Sequence, residues 1–377
     1  MTSNRKTLAN PFIYQGYESP EYFCDRQEET ATMTSHLKNG RNVTLISPRR
    51  VGKTGLIKNT FYHLCEEDKS AICLYIDILA TKNLHDFVTQ FGEMVINGLV
   101  RKNESFIEKA MRLFSTLRPV LSLDSLTGEP SFSITVERNQ EELTLRSIFA
   151  HLNEMAGEIY IAIDEFQQIA EYPEGGTEAL LRSYIQFTQH VHFIFSGSKH
   201  HLMSEIFGSP KHPFYQSTEL MGLNPLKEDV YYDFCRNFFV KKGGDLSRAV
   251  FSEIYSRFEG HTWYIQCVMN RLYEEEIEVD SISQVNEAIM FILRGREPQY
   301  ESLTQFFTSN QLNLLRAIAE EGVVAQPTSS EFIKKHGLPG ASSVKVALKT
   351  LEDKEMIYQK KDGYIVYDRF MALWLHR

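Results

Sequence analysis

Ser47-Pro48-Arg49-Arg50-Val51-Gly52-Lys53-Thr54 is the stretch on which the reading of this 377-residue chain turns. An apolar run at 43–46 leads into it and a helix-compatible run at 55–64 follows, so the order is strand, loop, helix. A loop in that setting wraps its backbone N–H groups around phosphate, and the helix behind it aims the positive end of its dipole there. Lys53 then reaches the β- and γ-phosphates of a nucleoside triphosphate as a point charge, and Thr54 offers its hydroxyl to Mg²⁺. Gly52 keeps a Cβ out of the way where a phosphate comes close. One departure stands out: the first glycine of G-x-x-x-x-G-K-[ST] is Ser47 here, and Pro48 pushes it toward extended backbone.

A second stretch fits the same machinery. Ile159-Tyr160-Ile161-Ala162-Ile163 is the nearly continuous apolar run of a strand buried on both faces of a parallel sheet, and Asp164-Glu165 end it. An acidic residue there binds Mg²⁺ through its water shell, which is the role expected of Asp164. A following carboxylate, Glu165, orients and deprotonates an attacking water. Taken alone, the same pair would read as a helix N-cap. The Gly-Lys-Thr loop upstream decides for the nucleotide.

Bulk properties narrow the class. At this length two or three domains are expected. Hydrophobic content of 42% and charged content of 24% are ordinary for a globular chain, and no apolar run approaches a membrane span. The polar start, residues 1–10, has no signal-peptide core. Five scattered cysteines without C-x-x-C spacing suit a reducing cytoplasm. The net charge of −9 argues against coating nucleic acid over the whole surface, though not against one DNA-binding face. The histidines at 190, 192, 200, 201 and 212 carry no recognisable metal-ligand spacing.

Along the chain, apolar strands are expected at 43–46, 72–78, 159–163, 192–195 and 219–223, with helices between most of them. This α/β pattern makes 1–226 a parallel-sheet core, with an inserted β-hairpin at about 117–138 around the turn signal at 127–130. Residues 227–300 read as a small helical lid whose aromatic stripe (Tyr231, Phe234, Phe238, Phe251, Tyr255, Phe258) is core rather than a binding surface. Residues 301–377 carry helices at 309–320, 329–336 and 342–354, then a hairpin at 357–367. That is the outline of a winged helix-turn-helix domain.

Further motifs join these in order. Asn10-Pro11-Phe12 precedes Phe23-Cys24-Asp25-Arg26-Gln27-Glu28-Glu29, which matches F-x-[GD]-R-x-x-E, and Pro48–Thr54 spells P-R-R-x-G-K-T. Phe193-Ile194-Phe195-Ser196-Gly197-Ser198, Gly260-His261-Thr262 and the closing Tyr364-x-Val366-Tyr367-Asp368 stretch follow. Together they resemble the archaeal and bacterial STAND-type branch of the AAA+-related P-loop ATPases, as found in Bacteroides-like bacteria, and the resemblance runs nearly end to end. It implies ATP bound by Pro11, Phe12, Asp25 and Arg26 on the adenine side and by Arg49, Arg50, Val51, Gly52, Lys53, Thr54 and Gly55 around the phosphates. The lid motif G-[HN]-P implies contacts from Gly260 and His261, with Thr262 replacing the proline. It makes Ser196 the sensor of the γ-phosphate, ahead of Ser198, beside Lys53 and the base Glu165. The family's P-[FL]-Y-G-R segment lacks its arginine here, reading Pro213-Phe214-Tyr215-Gln216-Ser217-Thr218.

Three functions stand open on this reading. The first is an ATP- and Mg²⁺-dependent switch with slow turnover, acting with a protein partner or a second copy of itself. The second is a winged-helix protein that binds duplex DNA through 329–367, with ATP structural. The third is a nucleotide-binding scaffold without hydrolysis. Lysines at 334, 335, 345, 349, 354, 360 and 361 support the second, but the start of the third helix offers no Arg, Asn or Gln to read bases.

Overall fold

The computed structural model describes residues 8–102, 120–123 and 130–377. They fall into two compact units, one spanning 15–230 and the other 231–377 together with the N-terminal segment up to Tyr14. In the first, the order is α1 (Gln27–Lys38), β1 (Val43–Ile46), α2 (Lys53–Glu67), β2 (Ile72–Asp77), α3 (Leu84–Lys102), β3 (Val120–Leu123), β4 (Pro130–Ser133), α4 (Glu141–Glu154), β5 (Ile159–Asp164), α5 (Thr177–Ile185), β6 (Val191–Gly197), α6 (His200–Gly208) and β7 (Glu219–Gly222). Five strands form one parallel sheet in the order β2-β5-β6-β1-β7. The central strands β5 and β6 are buried at every residue, whereas the edge strands β2 and β7 alternate. Continuous burial marks the two-sided strands, and alternating burial marks the edges.

Each face of the sheet has its own core. On one, Phe87, Phe91, Phe149, Phe193 and Phe195 stack in series, and Phe166, Phe207 and Phe214 meet Phe195 in tilted or edge-on contacts. On the other, Met33 and Leu37 of α1 and Leu56 and Ile57 of α2 pack on Val43 and Leu45. The inserted hairpin is present as antiparallel β3 and β4. Its turn, 124–129, lies outside the described residues, as does 117–119.

The second unit contains most of α7 (Glu228–Lys242), then β8 (Asp245–Leu246), α8 (Arg248–Arg257), α9 (Thr262–Glu275), β9 (Glu278–Val279), α10 (Ile282–Thr304), α11 (Ser309–Glu321), α12 (Ser330–Lys335), α13 (Ala341–Asp353), β10 (Ile357–Lys360), β11 (Gly363–Val366) and α14 (Arg369–Leu375). The aromatic stripe is core: Tyr231, Phe251 and Phe258 are fully buried. Three helices and the antiparallel β10–β11 pair give the winged helix-turn-helix outline. No helix among the described residues is long and apolar enough to cross a membrane.

Two features depart from the sequence reading. The segment assigned to the sheet core at the N-terminus packs instead with the helical unit: Phe12 sits among Phe238, Phe239 and Tyr273, and Asn10 and Asn270 exchange side-chain hydrogen bonds with each other's stretch. The boundary placed at 300/301 falls inside α10, which runs through Pro298. A proline removes one helical hydrogen bond, but Tyr300 packs against Trp374 in a tilted ring contact and Trp374 Nε1 donates to Glu297, so packing carries the helix past it.

Between α8 and α9, Glu259 joins the lid helices to the winged helix. Its Oε2 accepts from Arg369 Nη2 and Lys360 Nζ, each at 2.6 Å, while the buried Arg369 also donates to Val366 O and Tyr358 Oη. Burial acts to raise the Glu259 carboxyl, but the Lys360 hydrogen bond and the Arg369 charge leave it below the ordinary glutamate value. A depressed carboxyl stabilises the fold above its unfolded value and stops doing so as pH falls through the folded one. Glu259→Gln is therefore expected to lower unfolding stability near neutral pH, with the difference from the parent vanishing in acid, as read by urea titration at both pH values. In the sheet unit, Phe166→Ala should cost about 3–5 kcal/mol in the same measurement.

Candidate nucleotide-binding site

Parallel pairing brings the C-terminal ends of β1, β6, β5 and β2 to one edge of the sheet. That edge is where open α/β sheets bind ligands. The loop 47–52 leaves β1 there and turns into α2 at Gly52, whose φ of 100° lies in the left-handed region that glycine adopts without strain. Arg50 also has a positive φ. Val51 is buried in the core beneath the loop, so the turn is anchored from below.

Lys53 is buried at the first position of α2, its ammonium donating to Ser47 O (2.8 Å) and Pro48 O (3.1 Å). Burial pulls its pKa below the ordinary lysine value, opposed by the charges of Glu165 and Asp164 and assisted by that of Arg49. The next residue, Thr54, donates from Oγ1 to Asp164 Oδ2 at 3.1 Å. Tyr75 Oη donates to the same oxygen at 2.6 Å, and Glu165 N donates to Asp164 Oδ1. Asp164 is the last residue of β5 rather than a helix N-cap, and Glu165 follows with a positive φ of 54°. A left-handed glutamate costs on the order of 1–3 kcal/mol and is a feature of functional sites. Its Oε2 accepts from Ser198 Oγ (2.7 Å) and Gln167 Nε2 (2.5 Å), and Arg49 Nε donates to Ser198 Oγ (3.1 Å).

The Phe23–Arg26 segment lies against this loop. The Phe23 ring packs so closely on Gly55 that a Cβ there would sit 2.8 Å from it. The buried Arg26 guanidinium donates to Asn224 O, Val51 O and Glu29. Asp25, with Phe23, Thr30 and Asn59, lines a groove of about 740 Å³ beside α1 and α2.

Lys53, Thr54, Asp164, Glu165 and Arg49 are thus brought together as the sequence reading expected. Ser196 is fully buried within β6 and its Oγ has no hydrogen-bond partner among the described residues, while Ser198, two residues on, donates to Glu165. Pro11, Phe12, Gly260 and His261 belong to the other unit. There Phe12 is core, Gly260 takes a positive φ, and His261 precedes α9. Sequence reasoning missed Tyr75, Asp77 and Gln167. Burial, then the neighbouring charges of Asp164 and Glu165, raise the Asp77 carboxyl, against a lowering hydrogen bond from Leu79 N. Burial and the Asp164 carboxylate raise the Tyr75 phenol.

The donor set fits a magnesium–nucleotide. One hydroxyl and one carboxylate 3.1 Å apart suit a hydrated ion, and Lys53 stands at the loop to meet phosphate oxygens. No group of three or more His, Cys, Asp or Glu side chains that could hold a metal by itself occurs among the described residues.

Residues 23–268 match the family model described as an ATPase domain predominantly from Archaea, and residues 298–377 match a probable winged helix domain. No curated protein matches the chain. Among solved structures, the Walker-type ATPase of Pyrococcus abyssi is similar over 97% of this chain and 100% of its own, at 18% identity and a TM-score of 0.64. The ORC2 protein of Aeropyrum pernix, solved as ADPNP–ADP complexes, covers 97% and 95% at 14% identity and 0.59. The ORC1 protein of the same organism, solved in complex with DNA, covers 97% and 96% at 11% identity and 0.57. These likenesses show a shared P-loop fold. With its ATPase match spanning well over half of the sequence, the chain belongs to the family of ATPase domains found predominantly in Archaea, and it carries a C-terminal winged helix domain.

Proposed function

We propose that the chain is a Mg²⁺-dependent ATPase that works as a slow molecular switch, its lid and winged helix responding to the state of the bound nucleotide. The observation that carries this is the placement of Glu165: a left-handed carboxylate held by Ser198 and Gln167, next to the Thr54–Asp164 pair. Mg²⁺, when bound, supplies charge neutralisation on the phosphates. Thr54 and Asp164 are the residues that would hold it. Lys53 leaves the Ser47 and Pro48 carbonyls for phosphate oxygens. Glu165 takes the proton of the attacking water, Ser198 holds the Glu165 carboxylate in place, and Ser196 is the sensor of the γ-phosphate. The STAND-type assignment and a cytoplasmic setting belong to the same proposal, the latter supported by five cysteines that form no disulfide.

A second reading, duplex DNA binding through 329–367, is favoured by exposed Lys345 and Lys349 beside exposed Val346 on α13. The DNA complex of the Aeropyrum pernix ORC1 protein adds to it. Against it, Lys335, Lys354 and Lys360 are engaged by Glu321, Phe306 O and Glu259.

Lys53→Ala is expected to abolish nucleotide binding, read with a fluorescent ATP analogue. Glu165→Gln should bind ATP as the parent does yet lose about 10²–10⁴ in turnover. Parental turnover in Glu165→Gln would remove Glu165 as the base. For the second reading, DNA affinity should fall steeply with salt and weaken in Lys345→Ala/Lys349→Ala. Absent binding, or affinity indifferent to salt, would eliminate it.

A further inference from the structure

The sequence has no arginine between Arg182 and Arg236, so the stretch from the end of α5 through β7 offers none to the site edge. P-loop hydrolysis gains about 10³–10⁵ in rate when an arginine meets the charge developing on the transferred phosphoryl group. The phosphate loop carries a candidate of its own. Arg49 is half-buried at the mouth of the site, and its Nε donates to Ser198 Oγ at the end of β6. Ser198 in turn donates to the Glu165 carboxylate, so the guanidinium stands one residue away from the base. Its positive charge also acts on Lys53 and on Asp77.

From this we infer that Arg49 supplies, within the same chain, the arginine charge that stabilises the phosphoryl group in transfer. The inference rests on the ATPase reading above. The Arg49 Nε donates to a neutral hydroxyl within the site, an acceptor that a phosphate oxygen outcompetes, because charge-assisted bonds are the stronger ones. A loop arginine needs no second subunit, so turnover per chain is independent of protein concentration.

The test compares the parent, Arg49→Ala and Arg49→Lys, with Lys53→Ala as the blank. Three quantities are measured: turnover, affinity for a fluorescent ATP analogue, and affinity for ADP with aluminium fluoride, which imitates the transferring phosphoryl group. Arg49→Ala should lose about 10²-fold or more in turnover while ATP affinity changes by less than about threefold. Its affinity for ADP–aluminium fluoride should fall sharply, also in a Glu165→Gln background, and Arg49→Lys should restore part of it. Unchanged ADP–aluminium fluoride affinity in that background would mean that Arg49 acts only through Ser198 on Glu165, and would overturn the inference. Equal losses in turnover and ATP affinity would overturn it too, as would parental turnover that rises per chain with protein concentration. A parent that neither binds ATP nor exceeds the Lys53→Ala blank would instead bring down the ATPase reading, and the inference with it.

Discussion

The parallel pairing of β1 with β6 and of β6 with β5 is the constraint on which the rest of the molecule depends. It sets the end of β1 two strands from the end of β5, with only the end of β6 between them. The loop after β1 starts α2, the end of β5 supplies two carboxylates, and the residue just after β6 touches one of them. None of these groups needs a long reach. The buried cores on both faces keep that edge from shifting, since a packed interior yields little to a change of position.

Charge is concentrated at that edge. Asp77, Asp164 and Glu165 meet Lys53 and Arg49 over a few residues of strand end. Burial disfavours the charge on Lys53; the carboxylates work against that, and two loop carbonyls accept hydrogen bonds from the ammonium. Without nucleotide the loop thus satisfies its own cation. An incoming phosphate replaces neutral carbonyl acceptors with charged ones, so the exchange favours the ligand without unfolding the loop.

Much of this was legible from sequence because it is local. Five apolar runs predicted five strands, the Gly-Lys-Thr loop announced α2, and Asp164-Glu165 ended β5 as expected. What stayed hidden was decided by long-range order. Tyr75 and Asp77 matter because β2 lies beside β5, and nothing in the chain of residues says which strands are neighbours. The contact of Ser198 with Glu165 was not legible because a strand buried on both faces carries no alternation to show which side chain leaves the core. The two-residue strands β8 and β9 are too short to leave a pattern. The resemblance gave Phe12 to the adenine side, yet its ring packs in an aromatic cluster with residues more than two hundred positions away.

The uninterrupted α10 changes how motion must be pictured. At 1.5 Å per residue, its 23 residues form a rod of roughly 35 Å that serves the lid at one end and the winged helix at the other. Glu259, Arg369 and Lys360 brace the same two parts from the side. A pivot near 300 is therefore closed off. Because the segment up to Tyr14 belongs to the same body, the backbone crosses between the bodies twice, after Tyr14 and around the start of α7. The two units are thus joined by two covalent connections rather than one, and the helices and winged helix of the second are braced into one piece.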